Sequence, residues 1–228
     1  MLDSRTLKTK QEHYRQVSER LREHYGYPDW RQHLPAVDEL VSTILSQATS
    51  DTNRDKGYFA LKERYPDWEH VRDAPVKEIE DTIRSAGLAR QKAPRIKAAL
   101  QYITDTVGEI NLDFLETMDI NEAKAWLTSI DGVGPKTAAI ILLFTYNRAA
   151  FPVDTHVHRV TKRLGLIADN INAEKAHLIF EEIAPPENYY ADHLNIIRHG
   201  REICKARNPR CEQCILTAYC RYYQNLPG

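Results

Sequence analysis

At 228 residues, 42% hydrophobic and 28% charged, the chain has an ordinary globular composition and room for one large domain or two small ones. No stretch approaches the roughly 18 consecutive apolar residues of a membrane span, and the opening MLDSRTLKTKQEHYRQ carries charges where a signal peptide needs an apolar core. The chain is therefore expected inside the cell, and its net charge of -1 excludes a wholesale basic surface, so any nucleic-acid contact must come from local patches.

Apolar residues recur at helical spacing along nearly the whole chain. Val17 precedes Leu21; Leu40, Val41, Ile44 and Leu45 form one stripe; Ile96, Leu100 and Ile103 form another. Strand-period alternation is absent, so the expected fold is all-α. Pro35, Pro66, Pro75, Pro94, Pro135 and Pro152 fall where short helices should meet, and Gly87, Gly108 and Gly165 suit helix C-termini. No repeat, low-complexity segment or long linker interrupts the pattern.

The segment NEAKAWLTSI, 121–130, predicts a helix with Asn121 as its N-cap and Ala123, Trp126, Leu127 and Ile130 on one face. DGVG then makes a tight turn, Pro135 suits the first position of a second helix, and TAAIILLFTY is apolar all round, as in a core helix. Gly132 and Gly134 would let a phosphate approach backbone N–H groups at that helix start. Lys136 falls in the first turn, where the helix dipole and apolar surroundings would disfavour its ammonium form and free a nucleophilic amine. The bland alternative is a lysine whose stem packs while its head reaches water.

Asp154, in FPVDTHVHRVTKRLG, reads as the N-cap of a helix over 155–165, and a carboxylate held there can also stabilise a developing cation or relay a proton. After Gly200 helical periodicity gives way to cysteine, arginine and tyrosine. Cys204, Cys211, Cys214 and Cys220 have the spacing C-x6-C-x2-C-x5-C, which suits four-thiolate zinc or an iron–sulfur cluster. Only one C-x2-C pair is present, which favours the cluster and leaves zinc open. Lys205, Arg207 and Arg210 lie within that loop, which suits phosphate contact or a solvated basic surface.

GVGPKTA, VDTH and the cysteine spacing, in that order, resemble the endonuclease III family of helix-hairpin-helix DNA glycosylases, from about Leu40 to Tyr223. The resemblance implies a two-lobed all-α glycosylase with a helix-hairpin-helix motif and an iron–sulfur loop. Residues 34–147 would form a central helical domain containing the hairpin, and 1–33 with 148–228 a discontinuous second lobe bearing the loop, with DNA bound in the cleft between them. Lys136 would attack C1′ of a damaged nucleotide, with Asp154 assisting, and β-elimination would nick the strand. Cys204, Cys211, Cys214 and Cys220 would ligate a structural [4Fe–4S] cluster.

The same resemblance assigns Gln47, in LSQATSDTN, to fill the hole left by a flipped base, and Leu88, in SAGLARQKA, to wedge into the duplex. Read from the residues alone, Gln47 is a helix-surface polar and Leu88 a core residue. His156 matches a position near the DNA backbone, and Gly132, Gly134, Lys205 and Arg207 are further expected contacts, within a basic face that includes Arg90, Lys92 and Arg201. Pro135 stands where the family often has a basic residue, which removes one phosphate contact.

The expected partner is double-stranded DNA carrying a damaged base, in particular an oxidised pyrimidine, or an abasic site; no membrane is involved and a monomer suffices. In a prokaryote the location would be cytoplasm or nucleoid. Alternatives are a uracil or thymine mismatch glycosylase, a non-catalytic iron–sulfur DNA-binding protein, and a zinc module.

Overall fold

In a computed structural model, the structure describes residues 3–226, and among them there are helices and no strands. The helices are α1 (Ser4–Tyr25), α2 (Ala36–Ser46), α3 (Asp51–Arg64), α4 (Trp68–Asp73), α5 (Val76–Thr82), α6 (Ala89–Val107), α7 (Ile120–Thr128), α8 (Pro135–Tyr146), α9 (Thr155–Leu164), α10 (Ala173–Ile183), α11 (Tyr189–Glu202) and α12 (Arg221–Gln224). Among the described residues no helix is long and apolar enough to cross a membrane. The chain divides into two compact units, one of residues 32–148 and one of residues 1–31 with 149–228.

The first unit is built on α2 and α8, which pack against each other; α2 also meets α3 and α6. Every residue of α2 from Ala36 to Leu45 is buried, and α8 is buried at Thr137 to Ala139 and Ile141 to Thr145, as its apolar run requires. Burying the first turn of α2 brings two carboxylates inside. Asp38 accepts from Tyr58 Oη at 2.5 Å and Trp68 Nε1 at 3.0 Å, and Lys62 Nζ lies 3.2 Å away. Burial pushes the Asp38 carboxyl up, but these donors outweigh it and hold it below the usual range. Its neighbour Glu39 receives little more than Thr43 Oγ1 at 3.5 Å, and burial pushes it up to about 7.

The second unit joins α1 to α10 and α11, and α9 to α11 and α12. Asp192 on α11 is fully buried and takes three donors from one face of α1: Tyr14 Oη at 2.8 Å, Ser18 Oγ at 2.7 Å and Arg22 Nε at 3.2 Å. A buried charge met in this way is costly to unpair, which pins α1 against the helix that leads into the cysteine loop.

Two boundaries depart from the sequence expectation. The helix expected over 121–130 is capped by Asp119, not Asn121, because the Asp119 carboxylate accepts from the amides of both Asn121 and Glu122. Pro94 marks no boundary and lies inside α6. It occupies an exposed position, where the carbonyl freed by its missing N–H can meet water.

Candidate functional site

The hairpin forms as the sequence predicts: α7, a turn through Gly132 and Gly134, then α8 with Gly134 as N-cap and Pro135 in its first turn. The two glycines have different causes. Gly132 has φ +79°, and a Cβ there would lie 3.2 Å from Arg95 Cδ, so both conformation and space require glycine. Gly134 has φ -94°, which any residue adopts, and a Cβ there would meet nothing within 4 Å. Nothing in the protein itself demands a glycine at 134, and its lack of a side chain leaves the helix start open to an approaching group. Gly134→Ala is expected to change stability by less than about 1 kcal/mol while weakening binding to an abasic-site duplex. Paired melting and titration measurements check this, and unchanged affinity would return Gly134 to a neutral position.

Lys136 is exposed, and among the described residues no hydrogen-bond or ion-pair partner holds it. The apolar surroundings expected for its amine begin one residue later, at Thr137. The side chain therefore stands free at the positive end of a buried helix, beside the open Gly134 cap.

Gln47 ends α2 and is only half-buried. Its Oε1 accepts from Arg95 Nη1 at 3.2 Å and its Nε2 lies 3.5 Å from Gly132 O, so Arg95 links this side chain to the hairpin. Leu88 is not a core residue as its apolarity alone suggests: it is 49% exposed, with φ +50°, at the N-cap of α6. An exposed leucine on a left-handed backbone is an expensive arrangement to keep without a use. Arg90, exposed nearby, approaches Glu80 only at 3.6 Å. Lys92 must be removed from the expected basic face: it is 1% exposed and its ammonium points into backbone carbonyls, out of reach of a phosphate.

In the other unit, Asp154 caps α9 as predicted, its Oδ1 accepting from Val157 N at 2.7 Å. His156 is half-buried, and burial holds its imidazole below the usual range. Its Nδ1 lies 3.1 Å from Arg159 Nη2, so the arginine donates and the ring proton is assigned to Nε2.

The four cysteines form no disulfide with one another and line one small cavity, walled by Ile203, Pro209 and Tyr222. Burial first, then the other thiols, pushes Cys214 up to about 11, and burial also raises Cys220. Four thiolates gathered at this spot would need a cationic partner, which an iron–sulfur cluster would supply. Among the described residues no three His, Cys, Asp or Glu side chains converge as ligands of a single ion. Four cysteines lining one cavity are the donor set that a [4Fe–4S] cluster takes.

Three residues around this loop escaped the sequence reading. Arg163 Nη1 donates to Cys204 Sγ at 3.3 Å and to Lys205 O at 2.7 Å, while Nη2 donates to Ala206 O at 3.0 Å. Arg159 Nε donates to Cys204 O at 3.0 Å. His199, pushed down to about 4 by burial, places Nε2 at 3.5 Å from Cys214 Sγ while its Nδ1 faces Tyr25 Oη. The signal for the arginines was present: His156, Arg159 and Arg163 recur at helical spacing on α9 and share a face. In the loop itself Lys205 is half-buried and Arg207 exposed.

Residues 41–186 match the HhH-GPD superfamily of base excision DNA repair proteins, and residues 204–220 match the iron–sulfur binding domain of endonuclease III. The chain is 34% identical to endonuclease III of Sulfolobus acidocaldarius over 188 residues, covering 81% of each protein. It is likewise 34% identical to that of Thermotoga maritima over 185 residues, 81% of this chain and 82% of that one. Its fold superposes on a trapped endonuclease III–DNA covalent intermediate with a TM-score of 0.81 at 27% identity, covering 94% of this chain and 97% of the other. A thermostable thymine-DNA glycosylase shares the fold, with a TM-score of 0.78 at 21% identity over 96% and 99% of the two chains. The chain belongs to the HhH-GPD superfamily of base excision DNA repair proteins and, within it, to the endonuclease III family with its [4Fe–4S] cluster.

Proposed function

We propose that the protein is a bifunctional DNA glycosylase and abasic-site lyase, acting as a monomer inside the cell on double-stranded DNA with an oxidised pyrimidine or an abasic site. The observation that carries this reading is Lys136: a free amine in the first turn of a buried helix, next to a glycine that the fold does not need. Such an amine can attack C1′ of a nucleotide turned out of the stack. The C1′–N bond breaks, the base departs with the bonding pair and gains a proton, and the amine becomes an iminium on the opened sugar. Loss of a C2′ proton and of the 3′ phosphate by β-elimination then nicks the strand, and water releases Lys136.

The other residues take roles that match their surroundings. Asp154 keeps one oxygen on its cap and offers carboxylate charge to the cation that develops on the sugar. Backbone N–H groups at Gly134 hold a phosphate, His156 Nε2–H offers a neutral donor to the strand, and Lys205 and Arg207 supply charge from the loop. Gln47 fills the vacated place in the duplex and Leu88 wedges the strands apart. Cys204, Cys211, Cys214 and Cys220 would hold the [4Fe–4S] cluster, whose positive core would keep four clustered thiolates together and the loop folded.

The test is incubation of the cluster-loaded protein with end-labelled duplexes carrying thymine glycol, an abasic site, uracil or thymine opposite guanine, or 8-oxoguanine. Cleavage at thymine glycol and at the abasic site with a β-elimination end is expected. Base release from the mismatches alone, without nicking, would assign a monofunctional mismatch enzyme instead.

A further inference from the structure

Lys92 is left without a part in the chemistry just described, although it is the most deeply buried lysine side chain for which the fold gives an explicit pair of acceptors. It is 1% exposed, and its Nζ donates to Leu45 O at 2.7 Å and to Ala86 O at 2.8 Å. A buried ammonium is costly unless such partners meet it. Both acceptors end short elements: Leu45 lies in the last turn of α2, and Ala86 closes a 3-10 turn over Arg84–Ala86. Carbonyls there have no partner within their own helix and carry its negative end.

Two residues beyond Leu45 is Gln47, and two beyond Ala86 is Leu88. Each tip also holds a non-glycine residue in the left-handed region, Ala48 at φ +51° and Leu88 at φ +50°. Conformations of this kind persist only where their surroundings impose them. A third element presses on the same junction: a Cβ on Gly57 of α3 would lie 2.9 Å from Ala86 Cβ and 3.8 Å from Leu45 Cδ2.

We propose that Lys92 is a positioning residue for base extrusion: its single buried ammonium locks the Gln47 tip and the Leu88 tip into one rigid unit, so that plug and wedge enter the duplex together. The proposal rests on the reading of Gln47 and Leu88 as plug and wedge. Without the clamp the two tips must be ordered during entry, and that ordering is charged against opening the duplex. A substrate with no opposing strand makes no such demand.

Single-turnover cleavage by cluster-loaded Lys92→Met, Leu88→Ala and wild type is compared on an abasic site in duplex and in the same strand alone. Lys92→Met should lose about 10- to 100-fold on the duplex, the scale of a small misplacement, and less than about threefold on the single strand. Equal losses on both substrates, or none on the duplex, would overturn the proposal. Hydrogen exchange separates it from the reading beneath: protection should fall together in residues 46–49 and 86–89 of Lys92→Met, whatever Leu88→Ala does. If only Leu88→Ala fails to distinguish the two substrates, the wedge reading falls and the clamp stands; uncoupled exchange removes the clamp. Should Lys92→Met not fold, Gly57→Ala keeps the charge while displacing Ala86, and the same duplex-specific loss is expected of it; a Gly57→Ala protein matching wild type on both substrates would count against the clamp.

Discussion

Lys136→Ala should fold with its cluster in place and lose strand nicking at an abasic site by about a thousandfold or more. The side chain is exposed and has no partner among the described residues, so its removal should move stability by no more than about 0.5 kcal/mol. The chemistry, by contrast, has no substitute nucleophile at the start of α8, because the next residue, Thr137, is buried. Duplex affinity should change only modestly, since one cation among several phosphate contacts is removed. The measurements are a thermal melt, a titration with an uncleavable abasic analogue and a nicking time course. Near-wild-type nicking would remove Lys136 from the mechanism; lost nicking accompanied by lost folding would leave its role to a Lys136→Gln variant.

The proposed mechanism gives Asp154 a second duty beside its cap, and substitution can separate the two. As N-cap it holds Val157 N at 2.7 Å, and asparagine caps as well as aspartate does. Asp154→Asn should therefore keep the melting temperature and lower single-turnover base excision by about 100-fold or more, since the charge facing the developing sugar cation is gone. Asp154→Ala should show the same loss of excision plus about 1 kcal/mol of stability from the missing cap. If Asp154→Asn excises normally while Asp154→Ala is impaired only in proportion to its instability, the residue is a cap and nothing more.

What could be read from the sequence follows from what each signal depends on. Helical periodicity found α8 and the stripes of α2 and α6, because burial on one or all faces is written in consecutive residues. Boundaries were less legible: Asp119 and Asn121 are both good caps, and only the geometry of the first turn decides between them. Pro94 was misread because a proline is tolerated within a helix when its ring and the orphaned carbonyl face water, and exposure is a tertiary property.

The hairpin, Asp154 and the cysteines are local motifs, so the sequence placed them. Lys92 shows the opposite case. A lysine three residues from an arginine on a helix looks like surface charge, and only the arrival of Leu45, 47 residues earlier in the chain, and of the Ala86 turn makes it a buried clamp. Leu88 inverted the usual rule in the other direction: its apolar side chain suggested core, and the left-handed backbone that lifts it into solvent cannot be read from one residue. Arg159 and Arg163 fall between these cases, since their shared face on α9 was visible while their target, the carbonyls and thiol of the cysteine loop, was not.

The central claim is that Lys136 itself forms the covalent bond to DNA. The most direct measurement is borohydride reduction of the cluster-loaded protein on an abasic-site duplex, followed by proteolysis and mass mapping of the crosslinked peptide. The account predicts a single sugar adduct on the peptide containing Lys136, absent from Lys136→Ala. An adduct on another lysine or on the amino terminus, or no adduct from protein that nicks the duplex, would contradict it.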